Sequence, residues 1–249
     1  MATFRISASS HVGCVRTHNE DMVLVDDQLF RDAQVGLTLS TADRDRFIVA
    51  LADGMGGHQS GDVASRETLE NLRFFYGDLP AGLSGEQFRH CLASWHASIH
   101  AILDSKARED HQLSKMGTTF VALAYYGGHY YWLNCGDSRL YLYRDGNLAQ
   151  LTTDHSLNNR LGTDGPTNLI TNCIGGGCRK SYVDITECTG DVQPGHVLML
   201  CSDGLSDLVS DDAIADMLSR GSDADQLCLA AEKAGGSDNV SVVVIRVEP

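Results

Sequence analysis

Four aspartates in this 249-residue chain stand where a charge is hard to hide. Asp53 closes the apolar run FIVALAD, Asp137 closes YYWLNCGD, Asp203 closes VLMLCSD, and Asp238 sits in GGSDN just ahead of VSVVVIRV. A carboxylate at the end of a buried segment must either reach solvent or meet a positive partner. Carboxylates are hard oxygen ligands of the kind that Mg²⁺ and Mn²⁺ take. The neighbouring glycines let backbone carbonyls and water approach closely. Asp-Gly is also an ordinary turn dipeptide, so each aspartate taken singly reads first as a turn residue. Four in one acidic chain leave a shared cation site and separate turns both open, and they name no reaction.

Other candidates are weaker. His96 and His100 lie four apart on a helical stretch, a spacing that can grip a metal, but no third ligand is near in sequence and they read as helix-surface residues. The eight cysteines contain no Cys-x-x-Cys pair and read as thiols, with Cys135 and Cys201 in the core. No G-x-x-x-x-G-K-[ST] string occurs, which argues against a nucleotide-binding P-loop.

Longer strings around the aspartates are more specific. In chain order they are Arg16-Thr17-His18-Asn19-Glu20-Asp21, Ala52-Asp53-Gly54-Met55-Gly56-Gly57-His58, Met116-Gly117-Thr118-Thr119, Gly136-Asp137-Ser138-Arg139, Asp154-His155-Ser156, Ser202-Asp203-Gly204-Leu205 and Gly236-Ser237-Asp238-Asn239-Val240. Each is weak alone; all of them in this order resemble the PPM family, the type 2C metal-dependent serine/threonine protein phosphatases, in its bacterial stand-alone branch. The resemblance covers nearly the whole chain. It implies an α+β fold, an antiparallel β-sandwich flanked by helix pairs on both sides. It also implies hydrolysis of phosphoserine and phosphothreonine in proteins at a binuclear Mn²⁺ or Mg²⁺ centre.

The same resemblance implies roles for matched residues. Asp53 would bridge two ions, the carbonyl of Gly54 would bind the first, and Asp203 and Asp238 would complete the second. Glu20 and Asp21 would act through water. Asp137, helped by Asp203, would hold a third, weaker ion. Arg16 would clamp the substrate phosphate through a bidentate fork that a lysine cannot copy. Paired cations can ionise water near neutral pH for in-line attack on phosphorus, so no phosphoenzyme is required. Two departures accompany the match. Met55 stands where eukaryotic relatives carry a histidine able to act as general acid. The stretch LNNRLGTDGPTNLITNCIGGG is brief where many bacterial members carry a longer flap, so a reduced flap is expected at about 155–182 of a single catalytic domain, 1–249. Competing readings are a phosphatase-like binding protein without hydrolysis, or a phosphatase dedicated to one partner such as an anti-sigma-factor antagonist. The expected partners are phosphorylated proteins and, by analogy with the family, a eukaryote-like kinase.

The elements that must position these residues are legible in outline. Phe4 to Ala8 alternates as a half-buried strand does, Met22 to Val25 is a second short run, and Phe47 to Ala52 reads as a strand buried on both faces. Two helices are predicted next, Gly61 to Tyr76 and Glu86 to Glu109. The second carries Phe88, Leu92, Trp95, Ile99 and Ile102 on one face, with Ser84 as N-cap and Gln87 completing a capping box. Thr118 to Tyr126, His129 to Cys135, Arg139 to Tyr143 and Leu148 to Leu151 are strand-like, with Gly127-Gly128 and Asp145-Gly146 as hairpin turns. A strand at His196 to Cys201, helices at Asp211 to Ser219 and Ala224 to Ala234, and a strand at Asn239 to Val247 finish the chain. Successive hairpins argue against a doubly wound parallel sheet.

Bulk composition narrows the partners. With 33 acidic against 19 basic residues, the net charge of −14 repels nucleic acid and anionic membranes. No run approaches the ~18 apolar residues of a membrane span. Met1 to Gly13 lacks the apolar core of a secretory signal. A cytoplasmic monomer is the expectation.

Overall fold

The computed structural model describes residues 2–56, 60–162 and 169–248. The chain opens with β1 (Thr3–His11), β2 (Met22–Val25), β3 (Gln28–Phe30), β4 (Gln34–Ser40), β5 (Arg46–Ala52) and a two-residue β6 (Gly54–Met55). Helices α1 (Ser60–Gly77) and α2 (Gly85–Glu109) follow. Then come β7 (Gly117–Thr118), β8 (Phe120–Tyr126), β9 (His129–Cys135), β10 (Arg139–Arg144) and β11 (Asn147–Gln150). A short α3 (Leu157–Leu161) precedes β12 (Ile174–Gly175), β13 (Asp184–Glu187) and β14 (Val197–Cys201). The one-turn α4 (Asp203–Ser206), α5 (Asp211–Ser219), α6 (Ala224–Lys233) and β15 (Val240–Glu248) complete it.

Two six-stranded antiparallel sheets result, ordered β11-β10-β14-β15-β1-β4 and β13-β9-β8-β5-β2-β3, with a small sheet β12-β7-β6 beside them. The period of two decides which side chains meet between the sheets. Phe4, Ile6, Val243 and Ile245 face Phe47, Val49, Leu51, Val121 and Leu123 across one apolar layer. The opposite face of the second sheet packs Ile48, Ala50, Phe120 and Ala122 against Leu69, Leu72, Phe88 and Leu92 of α1 and α2. The opposite face of the first sheet packs Tyr141, Met199 and Val242 against Ile214 and Leu218 of α5 and Leu227 and Ala231 of α6. The layers are therefore helix pair, sheet, sheet, helix pair, as expected from the order of elements.

Local signals account for many of the boundaries. Ser84 Oγ accepts from the Gln87 N–H at 3.2 Å, and Gln87 Oε1 accepts from the Ser84 N–H at 2.9 Å, the reciprocal pair that starts α2. Gly127-Gly128 and Asp145-Gly146 all hold positive φ, which matches the twist of the hairpins they close. Two expectations about α2 are corrected. Its buried stripe runs Phe88, Leu92, Trp95, Ile99 and Leu103, a step of four after Ile99, and leaves Ile102 at the surface. His96 is not a surface residue but is buried, its Nε2 3.0 Å from Ser181 Oγ, while His100 Nδ1 accepts from the Gly175 N–H at 2.9 Å. Both histidines fasten α2 to the segment around β12.

The segment expected as a reduced flap holds α3, capped by Ser156, and an isolated bridge from Ser156 to Ile170. Its stretch 163–168 lies outside the described residues, as does Gly57-His58 of the second motif. Among the described residues no helix is long and apolar enough to cross a membrane.

Candidate functional site

The sandwich delivers the four aspartates from both of its sheets. Asp53 follows β5 of the second sheet and precedes β6 of the small one, and Asp137 lies in the turn from β9 of the second sheet to β10 of the first. Asp203 follows β14 and begins α4, and Asp238 precedes β15, both on the first sheet. Asp53 and Asp203 carboxyls share a hydrogen bond, and Asp53 also lies in the fields of Asp21, Asp137 and Asp238. Glu20 lies in the fields of Arg16 and Asp238. The acids singled out in the sequence therefore lie within one another's fields, and Arg16 lies in those of Asp238, Glu20 and Asp53.

Burial and mutual repulsion set the state of these acids. Asp53 is held well above the ordinary carboxylate range, first by desolvation and then by Asp21, Asp203 and Asp137. Asp21, fully buried, is pushed up to about 7 by the same loss of water, and Ser202 Oγ donates to its Oδ2 at 3.0 Å. Asp137 is pushed up to about 7 by burial and the field of Asp203, and Asp203 to about 6 by burial and Asp238. Burial also raises Glu20. Four carboxylate oxygens of this group, Glu20 Oε1, Asp21 Oδ1, Asp137 Oδ1 and Asp203 Oδ1, are buried with no hydrogen-bond partner. Such orphaned acceptors are expensive unless a cation meets them. Among the described residues no three His, Cys, Asp or Glu side chains are already gathered into a closed metal cage.

Backbone contacts hold the acids in place. The Asp53 N–H donates to Thr119 Oγ1 at 3.0 Å, and its carbonyl accepts from Thr118 Oγ1 and the Thr119 N–H, each at 2.9 Å. Gly54 donates its N–H to the Glu20 carbonyl at 3.2 Å. A Cβ on Gly54 would lie 2.2 Å from the Gly61 oxygen, so only glycine fits between α1 and the Glu20 loop. Asn239 ties its own loop to three points of the β1–β2 loop: Oδ1 accepts from the Glu20 N–H, and Nδ2 donates to the carbonyls of Val12 and His18, all at 2.9 Å. Thr118, Thr119, Ser202 and Asn239 were not singled out by sequence reasoning. The available signal was their place inside the same strings as the acids.

Arg16 stands differently from its expected place on a phosphate. Its Nη2 donates to Asp238 Oδ2 at 2.8 Å, with both side chains substantially exposed. The Cys14 N–H, two residues earlier, donates to the Gly236 carbonyl at 2.8 Å, so the loops carrying Arg16 and Asp238 are joined twice. A small acidic hollow lies alongside, lined by Asp137, Arg139, Asp154, Asp203 and Asp207. Arg139 grips Asp154 through Nε and Nη2, at 3.0 and 2.7 Å to Oδ2, and so neutralises that side of the hollow.

The chain is similar in sequence and fold to known proteins. A family model described as protein phosphatase 2C matches residues 22–232. The serine/threonine protein phosphatase PstP of Mycobacterium tuberculosis is 33% identical over 260 residues, covering 98% of this chain and 45% of that protein. The chain thus spans about half the length of that curated relative. Among solved structures, a serine/threonine phosphatase of S. agalactiae superposes with a TM-score of 0.84 at 26% identity, over 98% of this chain and 100% of that one. The catalytic domain of PstP in complex with two manganese ions superposes with a TM-score of 0.75 at 32% identity, over the whole of both chains.

Proposed function

The chain belongs to the protein phosphatase 2C family, and on that footing we propose that it hydrolyses phosphoserine and phosphothreonine in proteins with divalent cations held by its buried acids. The observation that carries the reading is the set of orphaned carboxylate oxygens on Glu20, Asp21, Asp137 and Asp203, in the company of an Asp53 carboxyl that burial and its acidic neighbours hold well above the ordinary range. Hard oxygen donors of this kind fit Mn²⁺ or Mg²⁺. Asp53, the Gly54 carbonyl, Asp203 and Asp238 would hold two ions, with Glu20 and Asp21 acting through water and Asp137 with Asp203 serving a third. Cations bound there supply Lewis acidity, ionising water near neutral pH and neutralising charge on the phosphoryl oxygens.

The chain's own groups do the rest. Thr118 and Thr119 fix the Asp53 backbone from both sides, which sets the direction of its carboxylate. Ser202 holds one oxygen of Asp21, while the other, Oδ1, is buried without a hydrogen-bond partner. Arg16 exchanges Asp238 for the substrate, placing its fork on two phosphate oxygens. No thiol is needed as nucleophile: burial pushes Cys201, the cysteine nearest Asp203 in sequence, up to about 12. We read 1–249 as one catalytic domain acting on phosphorylated proteins and opposing a eukaryote-like kinase.

Asp53→Asn and Asp238→Asn test the assignment. Each should lower kcat on a phosphothreonine peptide by ~10²-fold or more in saturating Mn²⁺, the scale of a lost electrostatic catalytic element. Wild-type turnover in both variants would remove these acids from the mechanism.

A further inference from the structure

The motif Asp154-His155-Ser156 has no role in the chemistry above, yet His155 makes the most complete set of contacts beside the acids. We propose that His155 is a positioning residue that fixes the Gly136–Asp137 peptide and thereby aims the Asp137 carboxylate at its cation. This rests on the metal-dependent reading and names one further residue on which that reading depends.

The geometry is a two-point grip on a single glycine. The His155 main-chain N–H donates to the Gly136 carbonyl at 2.9 Å, and the Gly136 N–H donates to His155 Nδ1 at 3.0 Å. A backbone N–H can only donate, so Nδ1 carries no proton and the ring proton sits on Nε2. That proton points at Asp184 Oδ2, 2.9 Å away. Asn172 closes the remaining side: its Oδ1 accepts from the Tyr182 N–H at 3.2 Å, while Nδ2 donates to the Tyr182 carbonyl at 2.8 Å and lies 2.9 Å from Nδ1. The ring is 4.9 Å from the Tyr182 ring, centroid to centroid, and the residue is 7% exposed. Orientation, tautomer and burial of the imidazole are thus all specified from outside the cation site.

What the grip holds is a peptide with no freedom to be anything else. Gly136 has φ +124, and a Cβ there would lie 2.6 Å from the Thr119 Cβ. Thr119 is the residue whose Oγ1 accepts from the Asp53 N–H, and the same oxygen lies 2.7 Å from Ser138 Oγ. Asp137 therefore sits between two anchored neighbours, with Oδ1 buried and unpartnered. His155 is also joined to the segment after α3, since its carbonyl accepts from the Thr171 N–H at 2.7 Å. Through this bond the segment after α3 is tied, by way of His155 and Gly136, to Asp137.

A double-mutant cycle on Mn²⁺ binding, read by the electron-spin-resonance signal of free Mn²⁺, tests this. Variants are His155→Ala, His155→Asn and the surface change Asp184→Ala, each alone and with Asp137→Asn. Asparagine places its Oδ1 where Nδ1 stands and can still accept from Gly136. His155→Ala should weaken the weakest Mn²⁺ class by ~10-fold, about one lost buried hydrogen bond. His155→Asn should recover most of that loss, and Asp184→Ala should shift binding in the same direction by less. With Asp137→Asn present, all three effects should vanish. Equal effects in both backgrounds, or no rescue by asparagine in a protein whose metal-free melting is unchanged, would overturn the proposal. Failure of the wild type to bind Mn²⁺ would instead overturn the metal-dependent reading itself.

Discussion

Arg16 is the most exposed charged group tied to the acids, and its partner is Asp238. It holds Asp238 through a single 2.8 Å contact, with its side chain 52% exposed. An ion pair this exposed is worth ~0–1 kcal/mol. A phosphate dianion that offers two oxygens to the guanidinium can displace it. Arg16→Ala should therefore raise KM for a phosphothreonine peptide by ~10-fold, the ~1.4 kcal/mol scale of one charge-assisted contact. Mn²⁺ affinity should stay within about threefold, because an exposed pair adds little to holding Asp238. An unchanged KM with collapsed Mn²⁺ binding would show that Arg16 serves to hold Asp238 in place. At this scale the acids were legible because a carboxylate closing an apolar run is conspicuous. Ser202, Thr118 and Thr119 were not, because a hydroxyl beside an acid looks the same whether it holds that acid, another one or water.

Among the elements, α2 shows where pattern reading works and where it stops. Its capping box and apolar spacing gave its boundaries to within a residue. The role of its histidines depended on a segment that meets α2 only in the fold. His96 is held neutral by burial, pushed down to about 4. A histidine with a lowered folded value binds fewer protons than it does unfolded, where it titrates near 6.5. Its contribution to stability is thus present above pH ~6.5 and is lost as pH falls toward 4. The melting advantage of wild type over His96→Gln should shrink across that window. An advantage that stays constant or grows on acidification would mean that His96 is not buried neutral. The strands that sequence reading missed share a cause as well. β3 and β4 close the outer edges of their sheets, with half-exposed side chains, and β12 is two residues long and ends in a left-handed glycine. Edge and two-residue strands carry too little alternation to be seen. α4 is a single turn, too short to show helical spacing, yet Asp203 is its first residue.

For the whole molecule, the order of hairpins and helix pairs was enough to give the layers, but not the pairing of sheets that makes the site. Asp53 follows a strand of one sheet, Asp203 and Asp238 flank strands of the other, and Asp137 sits in the turn that passes between the two. Only the three-dimensional register shows that these acids repel one another and that several of their oxygens lack a partner. That surplus of negative charge, in a chain already at −14, is the central physical fact about the protein. It calls for a cation, and the family to which the chain belongs supplies the reaction such a cation would serve. The most direct measurement is phosphate release from a phosphothreonine peptide by the purified chain, first in EDTA and then after Mn²⁺ is added in excess. The account expects no turnover above the uncatalysed rate in EDTA and full recovery with Mn²⁺. Undiminished turnover in EDTA would contradict it.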